Sequence, residues 1–418
     1  MSDKNNKTLK FGWRRVKFGD VVRLSKARSQ DPLADGFERY VGLEHLEPRD
    51  LRIRSWGNVA DGVTFTSVFQ PGQVLFGKRR AYQRKVAVAD FAGVCSGDIY
   101  VLETNEPQAL LPELLPFICQ TNAFFDHAVG TSAGSLSPRT NWTSLADFEF
   151  TLPSVEDQQA VVTLLSAIEN TCNEYIGALK AAEDLFESSL WDLTTGRYVS
   201  KKRKIEVGEW TKARPPGINE IPLSWKVVRL TDVAKLESGH TPSRRQENYW
   251  SGGIPWISLG DTERLDTRRI FETGETVSQK GIDNSSARLL PKDTVVLCRT
   301  ASVGFCSVMG KEMATSQDFA NFVCDSNEIL PDFLYFLFRA LRSYWKKIAM
   351  GGGVRTVYMP FFKEMQIALP PLEDQKAIIS NLSNIQDAVS DLRSRLNGCK
   401  SFLSHTRDQA IAGAKYEF

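Results

Sequence analysis

The sequence predicts an α+β protein with two α/β-mixed domains, separated by two long helices that form an antiparallel coiled coil with pseudo-two-fold internal symmetry. Three observations support this fold class: an internal repeat, a heptad-type apolar pattern after each copy, and strand-like runs before each copy. A length of 418 residues suits two or three domains. With 42% hydrophobic and 24% charged residues, the chain is not of the disordered or fibrous class.

The clearest repeat is a nine-residue element. It reads Leu-Pro-Ser-Val-Glu-Asp-Gln-Gln-Ala at 152–160 and Leu-Pro-Pro-Leu-Glu-Asp-Gln-Lys-Ala at 369–377, a lag of 217 positions with six identities. Ser154 can cap a helix in the first copy, and Pro371 suits the first helical turn in the second. Each copy therefore predicts the start of a helix.

An apolar seam follows each copy, with alternating spacings of three and four residues and one break. Its predicted positions are Leu165, Ile168, Cys172, Tyr175, Leu179, Ala182, Phe186 and Leu193, then Leu382, Ile385, Val389, Leu392, Leu396, Cys399, Leu403 and Ala410. This spacing is typical of a coiled coil over about four heptads. Each helix would span roughly 39 residues, or about 58 Å, before Gly196 or Gly413 ends it. Two independent helices are the alternative, but equal length and phase favour a pair.

The segments that precede the helices also resemble each other. Trp13–Leu24 aligns with Trp225–Leu236, and Ser96-Gly-Asp98 aligns with Ser316-Gln-Asp318. Strand-like runs are predicted at 72–76, 85–88, 99–102, 294–298 and 319–323, and short helices at 111–127 and 330–349. The predicted domains are 1–151, a helix at 152–196, a linker with the second domain at 197–368, and a helix at 369–418.

Several classes of protein are excluded by missing motifs. The chain has no run of 18 apolar residues and no apolar leader, so we expect a cytoplasmic protein without membrane contact. The seven cysteines form no Cys-x-x-Cys pair, so neither a zinc site nor a disulfide framework is expected. Gly304–Glu312 departs from a P-loop in spacing and in its last residue. A nuclease can be proposed only from Pro331-Asp332 and Asp374–Lys376, which helix starts explain better, so we predict no catalytic residue and no metal site.

Basic and small polar residues cluster at three predicted turns. The first cluster contains Lys78, Arg79, Arg80, Tyr82, Arg84 and Lys85, the second Thr241, Ser243, Arg244 and Arg245, and the third Arg299, Thr300 and Ser302. Such residues can neutralise phosphates, and arginine can bind guanine in the major groove. Solvated surface turns are the alternative for the first two clusters. The basic run at 201–204 lies in the linker and suits solvent or loose phosphate contact.

The chain resembles the specificity subunits of type I restriction–modification systems. The Leu-Pro-Pro-Leu-Glu-Asp-Gln element, present twice in related form, carries the resemblance together with stretches of the second domain. Those stretches are Gly239–Ser243, Tyr249-Trp250, Gly253–Asp261, Asn284–Ala287, Leu290-Pro291 and Arg299–Gly304. The first domain shows a weaker form in Val74–Arg80 and Val94–Asp98. Ser154 and Val155 depart mildly from the family element.

The resemblance implies that each domain is a target recognition domain for one half of a bipartite, asymmetric double-stranded DNA site. The coiled coil would set the spacing between the halves. Two methyltransferase subunits, specific for adenine N6, and restriction or motor subunits would bind the chain. We therefore expect no cofactor in this chain, and S-adenosylmethionine, ATP and Mg²⁺ on its partners. A standalone nuclease and a coiled-coil scaffold without DNA function are the alternatives.

Overall fold

The computed structural model describes residues 10–199, 204–206, 213–215 and 217–412. The chain divides into two compact units, Met1–Gly177 with Arg393–Phe418 (unit 1) and Ala178–Leu392 (unit 2). Each unit combines a mixed α/β domain with segments of both long helices, which confirms the predicted α+β class. Residues 201–203 of the basic linker run and Gly413 lie outside the described residues.

Unit 1 contains most of the first half of the chain. Its strands are β1 (Arg14–Lys17), β2 (Val22–Leu24), β3 (Arg39–Val41), β4 (Gly57–Asn58), β5 (Ser67–Phe69), β6 (Val74–Gly77), β7 (Val86–Val88), β8 (Gly93–Cys95), β9 (Ile99–Thr104) and β10 (Glu149–Leu152). Its helices are α1 (Phe18–Val21), α2 (Leu115–Cys119), α3 (Asn122–Gly130), α4 (Trp142–Ala146) and the start of α5 (Val155–Thr194).

Two small sheets form the domain of unit 1. One has the strand order β2-β9-β6-β7 and the other β4-β3-β8-β5. Val41 and Phe69 of the second sheet share a buried apolar cluster with Leu75 of the first. Phe76 packs against Phe124 of α3, with ring centroids 5.6 Å apart. The first sheet therefore lies between the second sheet and the short helices.

Unit 2 repeats this arrangement. Its strands are β11 (Lys204–Glu206), β12 (Glu220–Pro222), β13 (Lys226–Arg229), β14 (Ala234–Ser238), β15 (Trp250–Ile257), β16 (Arg269–Ile270), β17 (Glu275–Val277), β18 (Val295–Cys298), β19 (Cys306–Met309), β20 (Ala314–Thr315), β21 (Phe319–Cys324) and β22 (Gln366–Leu369). Its helices are α6 (Leu230–Val233), α7 (Gln279–Asp283), α8 (Pro331–Ala340), α9 (Arg342–Ile348), α10 (Met359–Glu364) and the start of α11 (Leu372–Ala412).

The sheets of unit 2 follow the same plan as those of unit 1. The larger has the order β14-β21-β18-β19-β16, and the smaller β17-β15-β20. In both units an antiparallel pair joins the domain's first strand to the strand before the long helix, β1 with β10 and β13 with β22. The repeat detected in the sequence is therefore a repeat of topology.

The repeated Glu-Asp-Gln element fixes each long helix to its domain through the aspartate. In unit 1 the indole Nε1 of Trp13 donates to Asp157 at 2.6 Å. In unit 2 Trp225 donates to Asp374 at 3.2 Å. The carboxylates lie in the first helical turn, where negative charge is favourable because the helix dipole is positive there.

The glutamine of the same element satisfies backbone groups of the preceding loop. Gln158 is 1% exposed; it accepts from the Leu111 amide at 2.9 Å and donates to Ala109 and Pro153 carbonyls. Gln375 makes the equivalent three bonds in unit 2 and is fully buried. A buried backbone group without a partner is costly, so these bonds explain the glutamine at both places.

Helices α5 and α11 have 40 and 41 residues. Within unit 1 the first half of α5 contacts the end of α11, and within unit 2 its second half shares an apolar cluster with the start of α11. The pair is therefore antiparallel, as predicted. All predicted seam residues are buried or half-buried. After the break in each seam, the next buried positions are Leu190 and Arg407, which the sequence pattern missed.

Two expectations from the sequence were wrong. Cys172 and Cys399 form a disulfide, because the antiparallel seam brings their Cα atoms to 5.9 Å. The predicted helices at 111–127 and 330–349 are each divided in two. In the first, Thr121 accepts a hydrogen bond from the Phe124 amide and so caps a new helix. Apolar periodicity continued across both interruptions and concealed them.

Candidate nucleic-acid interface

In unit 1 residues 78–85, which follow β6 and which we call the basic loop, form backbone hydrogen bonds with segments on both sides. The Lys78 amide donates to the Asp98 carbonyl at 3.0 Å. The Arg80 amide donates to the Pro138 carbonyl at 2.7 Å, and the Thr140 amide donates back to Lys78 at 3.0 Å. The segment before Thr140 therefore pairs with the basic loop, and we call residues 131–139 finger loop 1.

Unit 2 has the same three backbone hydrogen bonds, and we call this shared set of bonds the loop frame. The Arg299 amide donates to the Asp318 carbonyl at 2.9 Å. The Ala301 amide donates to the Arg355 carbonyl at 3.0 Å, and the Val357 amide donates to Arg299 at 2.8 Å. Residues 350–356 form finger loop 2. The two loops that the sequence matched by position thus share one backbone geometry.

A left-handed residue stands at the same place in each frame. Arg80 has φ +54° and Ala301 has φ +57°. Non-glycine residues in this region are strained, and such strain persists only where the surrounding structure holds it. Each finger loop closes on itself through a paired bridge, Ala133 with Arg139 and Met350 with Thr356. The frame therefore fixes the direction in which the loop side chains leave the backbone.

The cations of the basic loop differ in their partners. Lys78 lies over the Tyr100 ring at 4.7 Å, and the Lys85 ammonium donates to the Leu43 carbonyl at 2.7 Å. Arg84 donates to the Asn122 side chain and lies 3.8 Å from the Asp126 carboxylate. These three side chains make contacts within unit 1.

Among the described residues, the side chains of Arg80 and Tyr82 make no hydrogen bond, ion pair or ring contact, although Arg80 is half-buried. Tyr82 is 55% exposed. The Nε atom of Arg80 is buried without a hydrogen-bond partner among the described residues. Such an unpaired donor is uncommon in a folded protein.

A carboxylate organises the base of the basic loop. Asp98 accepts from Arg139 at 2.7 Å and from Arg79 at 3.4 Å, and Arg79 also donates to the Ser137 hydroxyl at 3.0 Å. The hydrogen bonds from Arg139, opposed by partial burial and assisted by Arg79, lower the pKa of Asp98. Asp98 therefore fixes one arginine from each of the two paired loops.

In unit 2 the equivalent loop is less charged. The Arg299 guanidinium donates to the Gln317 carbonyl at 2.7 and 3.1 Å and to Val357 at 3.4 Å. Ser302 is half-buried and lines a cavity of about 330 Å³ together with Phe305, Lys346 and Arg355. Thr300 is half-buried beside it. This surface offers hydroxyls and the two cations Lys346 and Arg355 in place of the arginine pair of unit 1.

The turn at 241–245 forms a second surface in unit 2. Arg244 makes a bidentate pair with Glu275 and lies over the Trp250 ring at 3.9 Å. This hydrogen bonding lowers the pKa of Glu275. Thr241 donates to the Gln317 side chain at 2.7 Å, whereas Ser243 and Arg245 are exposed. Gln317 therefore lies between this turn and the Arg299 loop.

The structure adds residues to this interface that sequence reasoning missed. Arg139 and Arg355 belong to the finger loops, and Lys346 and Lys347 are exposed on α9. Leu136 in finger loop 1 is 89% exposed. One sequence pattern could have predicted the two loop arginines. In both halves an arginine follows a glycine-containing stretch, Gly134 to Arg139 and Gly351 to Arg355.

No metal site and no membrane helix stand out in the described part of the chain. Within residues 10–199 and the other described ranges, no group of three His, Cys, Asp or Glu side chains is placed to hold a metal ion. Across the same ranges, no helix has both the length and the apolar character needed to cross a membrane.

The chain is similar to several curated specificity subunits of type I restriction enzymes. Residues 222–397 match the family described as "Type I restriction modification DNA specificity domain". The MjaIX specificity subunit of Methanocaldococcus jannaschii is 28% identical over 183 residues, 43% of this chain and 42% of that relative's length. The HindI specificity subunit of Haemophilus influenzae is 22% identical, over 68% of this chain and 75% of the relative. The MjaVIII subunit of M. jannaschii is 21% identical, over 90% and 87%.

Solved structures share the fold. One, described as "Structural basis underlying complex assembly and conformational transition of the type I R-M system", has a TM-score of 0.61 at 19% identity and covers 96% of this chain and 98% of that one. The type I restriction–modification S subunit from M. genitalium has a TM-score of 0.58 at 12% identity and covers 98% of each chain. Residues 222–397 thus match the DNA specificity domain of type I restriction–modification systems, and the chain is similar over most of its length to curated type I specificity subunits.

Proposed function

We propose that each unit reads one half of a bipartite, asymmetric DNA site, and that helices α5 and α11 set the spacing between the halves. The observation that carries this proposal is the shared backbone frame of the two loops, which presents Arg79 and Arg80 in one unit and Thr300 and Ala301 in the other. The same geometry with different side chains suits two readers of unlike base sequences, because specificity depends on the groups offered to base edges.

The proposed spacer follows from helix length. A helix of 40 residues is about 60 Å long, longer than one turn of DNA at about 34 Å. Bases between two separated readers would remain unread. We propose further that two adenine N6 methyltransferase subunits and restriction or motor subunits bind this chain in the cytoplasm. S-adenosylmethionine, ATP and Mg²⁺ would be bound by those partner subunits. This chain would then select DNA without catalysing a reaction.

Substitution of Arg80 tests the reading role. If Arg80 binds guanine, R80A should weaken binding to the cognate site by about 1–3 kcal/mol and relax specificity at one base pair. If it contacts phosphate, the loss should be uniform across sequences, with a shallower salt dependence. Fluorescence anisotropy on a panel of duplexes at several salt concentrations separates the two outcomes.

Arg23→Ala is the matched control, since Arg23 lies on β2 of the same unit and pairs with Glu103 at 2.8 Å. R79A is less diagnostic, because Arg79 also bonds Asp98 and Ser137. Binding by R80A that equals wild type in affinity, sequence preference and salt slope would contradict the assignment.

The spacer is tested by lengthening both helices by one heptad. Seven residues add about 10.5 Å, close to three base pairs of about 3.4 Å each. Methylome sequencing of a host that expresses the complete system should then show a longer gap with both half-sites unchanged. An unchanged gap would show that the helices do not set the distance.

A further inference from the structure

Unit 1 contains a cleft of about 870 Å³ between its domain and the long helices. Its walls come from the loop at 47–54, the connection between α2 and α3, the middle of α5 and the last turns of α11. Small-molecule sites in proteins typically have volumes of 300–1,000 Å³. The DNA-reading role proposed above does not involve this cleft.

A buried arginine lies in the wall of the cleft. Arg407 on α11 is 4% exposed. Its guanidinium donates to the side-chain oxygen Oε1 of Gln120 at 2.9 Å and to the Ser404 hydroxyl at 3.1 Å. Its Nε atom is buried and has no hydrogen-bond partner among the described residues. The Asp408 carboxylate is 3.7 Å from Nε and accepts instead from the Asn122 amide at 3.0 Å.

Gln120 supplies a second unused donor. Its side chain is 3% exposed, and its amide nitrogen Nε2 is buried without a partner in the described part of the chain. Gln120 and Arg407 are hydrogen-bonded to each other, so the two free N–H groups belong to one cluster. Buried donors normally find an acceptor, and two unpaired donors beside a cleft favour an acceptor supplied from outside the chain.

Charges of both signs surround Arg407. Burial is the main cause that lowers the pKa of Arg407; Arg49 and Arg84 lower it further, and the carboxylates of Asp408 and Glu169 oppose them. Arginine stays protonated in proteins, so this environment is an unfavourable one for the cation. Arg49 and Arg84 are held together by a 3.0 Å backbone bond, and both are left-handed, with φ +61° and +55°.

Helix pairing by itself does not require an arginine here. The position related to Arg407 by the 217-residue repeat is Leu190, which is 1% exposed in the apolar core of unit 2. The same place in the same architecture is therefore filled by a hydrocarbon side chain in one unit and by a cation in the other. Arg407 has two neutral acceptors and a carboxylate that is 3.7 Å from Nε, so its buried charge is only partly compensated, and an anion in the adjacent cleft would complete the compensation.

We propose that this cleft binds a small molecule with a phosphate or carboxylate group, which accepts hydrogen bonds from Arg407 and Gln120. Arginine binds both kinds of oxyanion with charge-assisted hydrogen bonds. Glu47, Asp50 and Glu169 also line the cleft. They oppose a polyanion and can accept from hydroxyl or amino groups, so the ligand carries a single acid group and hydrogen-bond donors.

The experiment uses the full chain and two probes, inorganic phosphate and acetate, with sodium chloride at equal ionic strength as the reference. Calorimetric titration gives the Kd, and thermal unfolding gives the shift in Tm. We expect one probe or both to bind and to raise Tm, and we expect R407L to raise the Kd by about tenfold or more. The probe that binds more tightly identifies the acid group as phosphate or carboxylate.

R407L introduces the side chain that the repeat-related position in unit 2 already accommodates, Leu190. R407K keeps the charge, and R339L removes a part-buried arginine from unit 2, where Arg339 lies over the Phe186 ring. R339L should bind the probe as wild type does, and R407K should retain part of the affinity. Equal binding by wild type and R407L would overturn the proposal. So would the absence of binding of either probe at about 10 mM, a concentration far above the Kd of typical ligand sites.

Discussion

The two places where the long helices meet their domains share a topology but differ in chemistry. In unit 2 Phe186, Leu190 and Leu382 join one apolar cluster with Phe336 of α8. In unit 1 the residue equivalent to Leu190 is Arg407, which bonds Gln120 beside a cleft. The repeat therefore preserved the helix contacts at both ends, while the repeat-related position holds a leucine in one unit and a hydrogen-bonded arginine in the other.

The contrast distinguishes contacts that both helix–domain junctions share from a residue, Arg407, that only the junction of unit 1 has at this position. Both ends keep the Trp–Asp bond and the buried glutamine at the helix start, so these contacts belong to the repeated module. Among the described residues, the buried cation Arg407 lies beside a cleft in unit 1, whereas Leu190 occupies the repeat-related position in unit 2. Replacing buried ionic groups by apolar ones is often neutral or stabilising, which makes Arg407 a candidate for function in place of stability.

Exchanging the two side chains should give the largest effect and sharpen the contrast most. L190R places an unpaired charge in the apolar core of unit 2 and should lower the free energy of unfolding by about 3–5 kcal/mol. R407L, measured without anions, leaves the buried Oε1 of Gln120 without its donor and should lower the free energy of unfolding by a smaller amount, about 1–3 kcal/mol. Urea unfolding of both variants measures the difference. Similar losses in the two variants would mean that Arg407 is as necessary to its core as Leu190.

The glutamines at the helix starts should show a smaller and more nearly equal effect. Q375L leaves the Leu330 amide and two carbonyls without partners and should cost about 1–3 kcal/mol of unfolding free energy. Q158L should cost a similar amount in unit 1. Glu373→Gln is the control in the same turn, since Glu373 is 84% exposed, and should stay within about 0.5 kcal/mol. A large cost at one glutamine alone would break the equivalence of the two ends.

The smallest effect concerns pH and the loop of unit 1. Hydrogen bonds from Arg139 and Arg79 lower the pKa of Asp98 below its unfolded value of about 3.9. The resulting stability is complete above that value and is lost as pH falls through the lower pKa of the folded state.

D98N should therefore reduce the difference in unfolding free energy between pH 6 and pH 3 by less than about 1 kcal/mol. R139A should reduce it more than R79A does, because Arg139 makes the larger contribution to the shift. Urea titrations at the two pH values measure these differences. A pH difference that is the same in D98N and in wild type would contradict the assigned pairing.

The long helices were predictable from the sequence because one-dimensional spacing determines which side of a helix is apolar. The nine-residue element marked both starts, and the structure begins α5 at Val155 and α11 at Leu372. The breaks within the shorter helices were missed, since a cap such as Thr121 leaves the apolar pattern intact. Asp98 and Arg139 are 41 positions apart, so no local pattern predicts their ion pair.

The sequence by itself determined the internal duplication, the α+β class and the antiparallel helix pair, because these follow from repeat spacing and from the burial of an apolar seam. Tertiary structure alone decided which loops meet. Arg80 and Pro138, or Ala301 and Arg355, come together only when strands distant in sequence pair. The same holds for the Cys172–Cys399 bond and for the cleft at Arg407, since each depends on helix segments more than 200 residues apart.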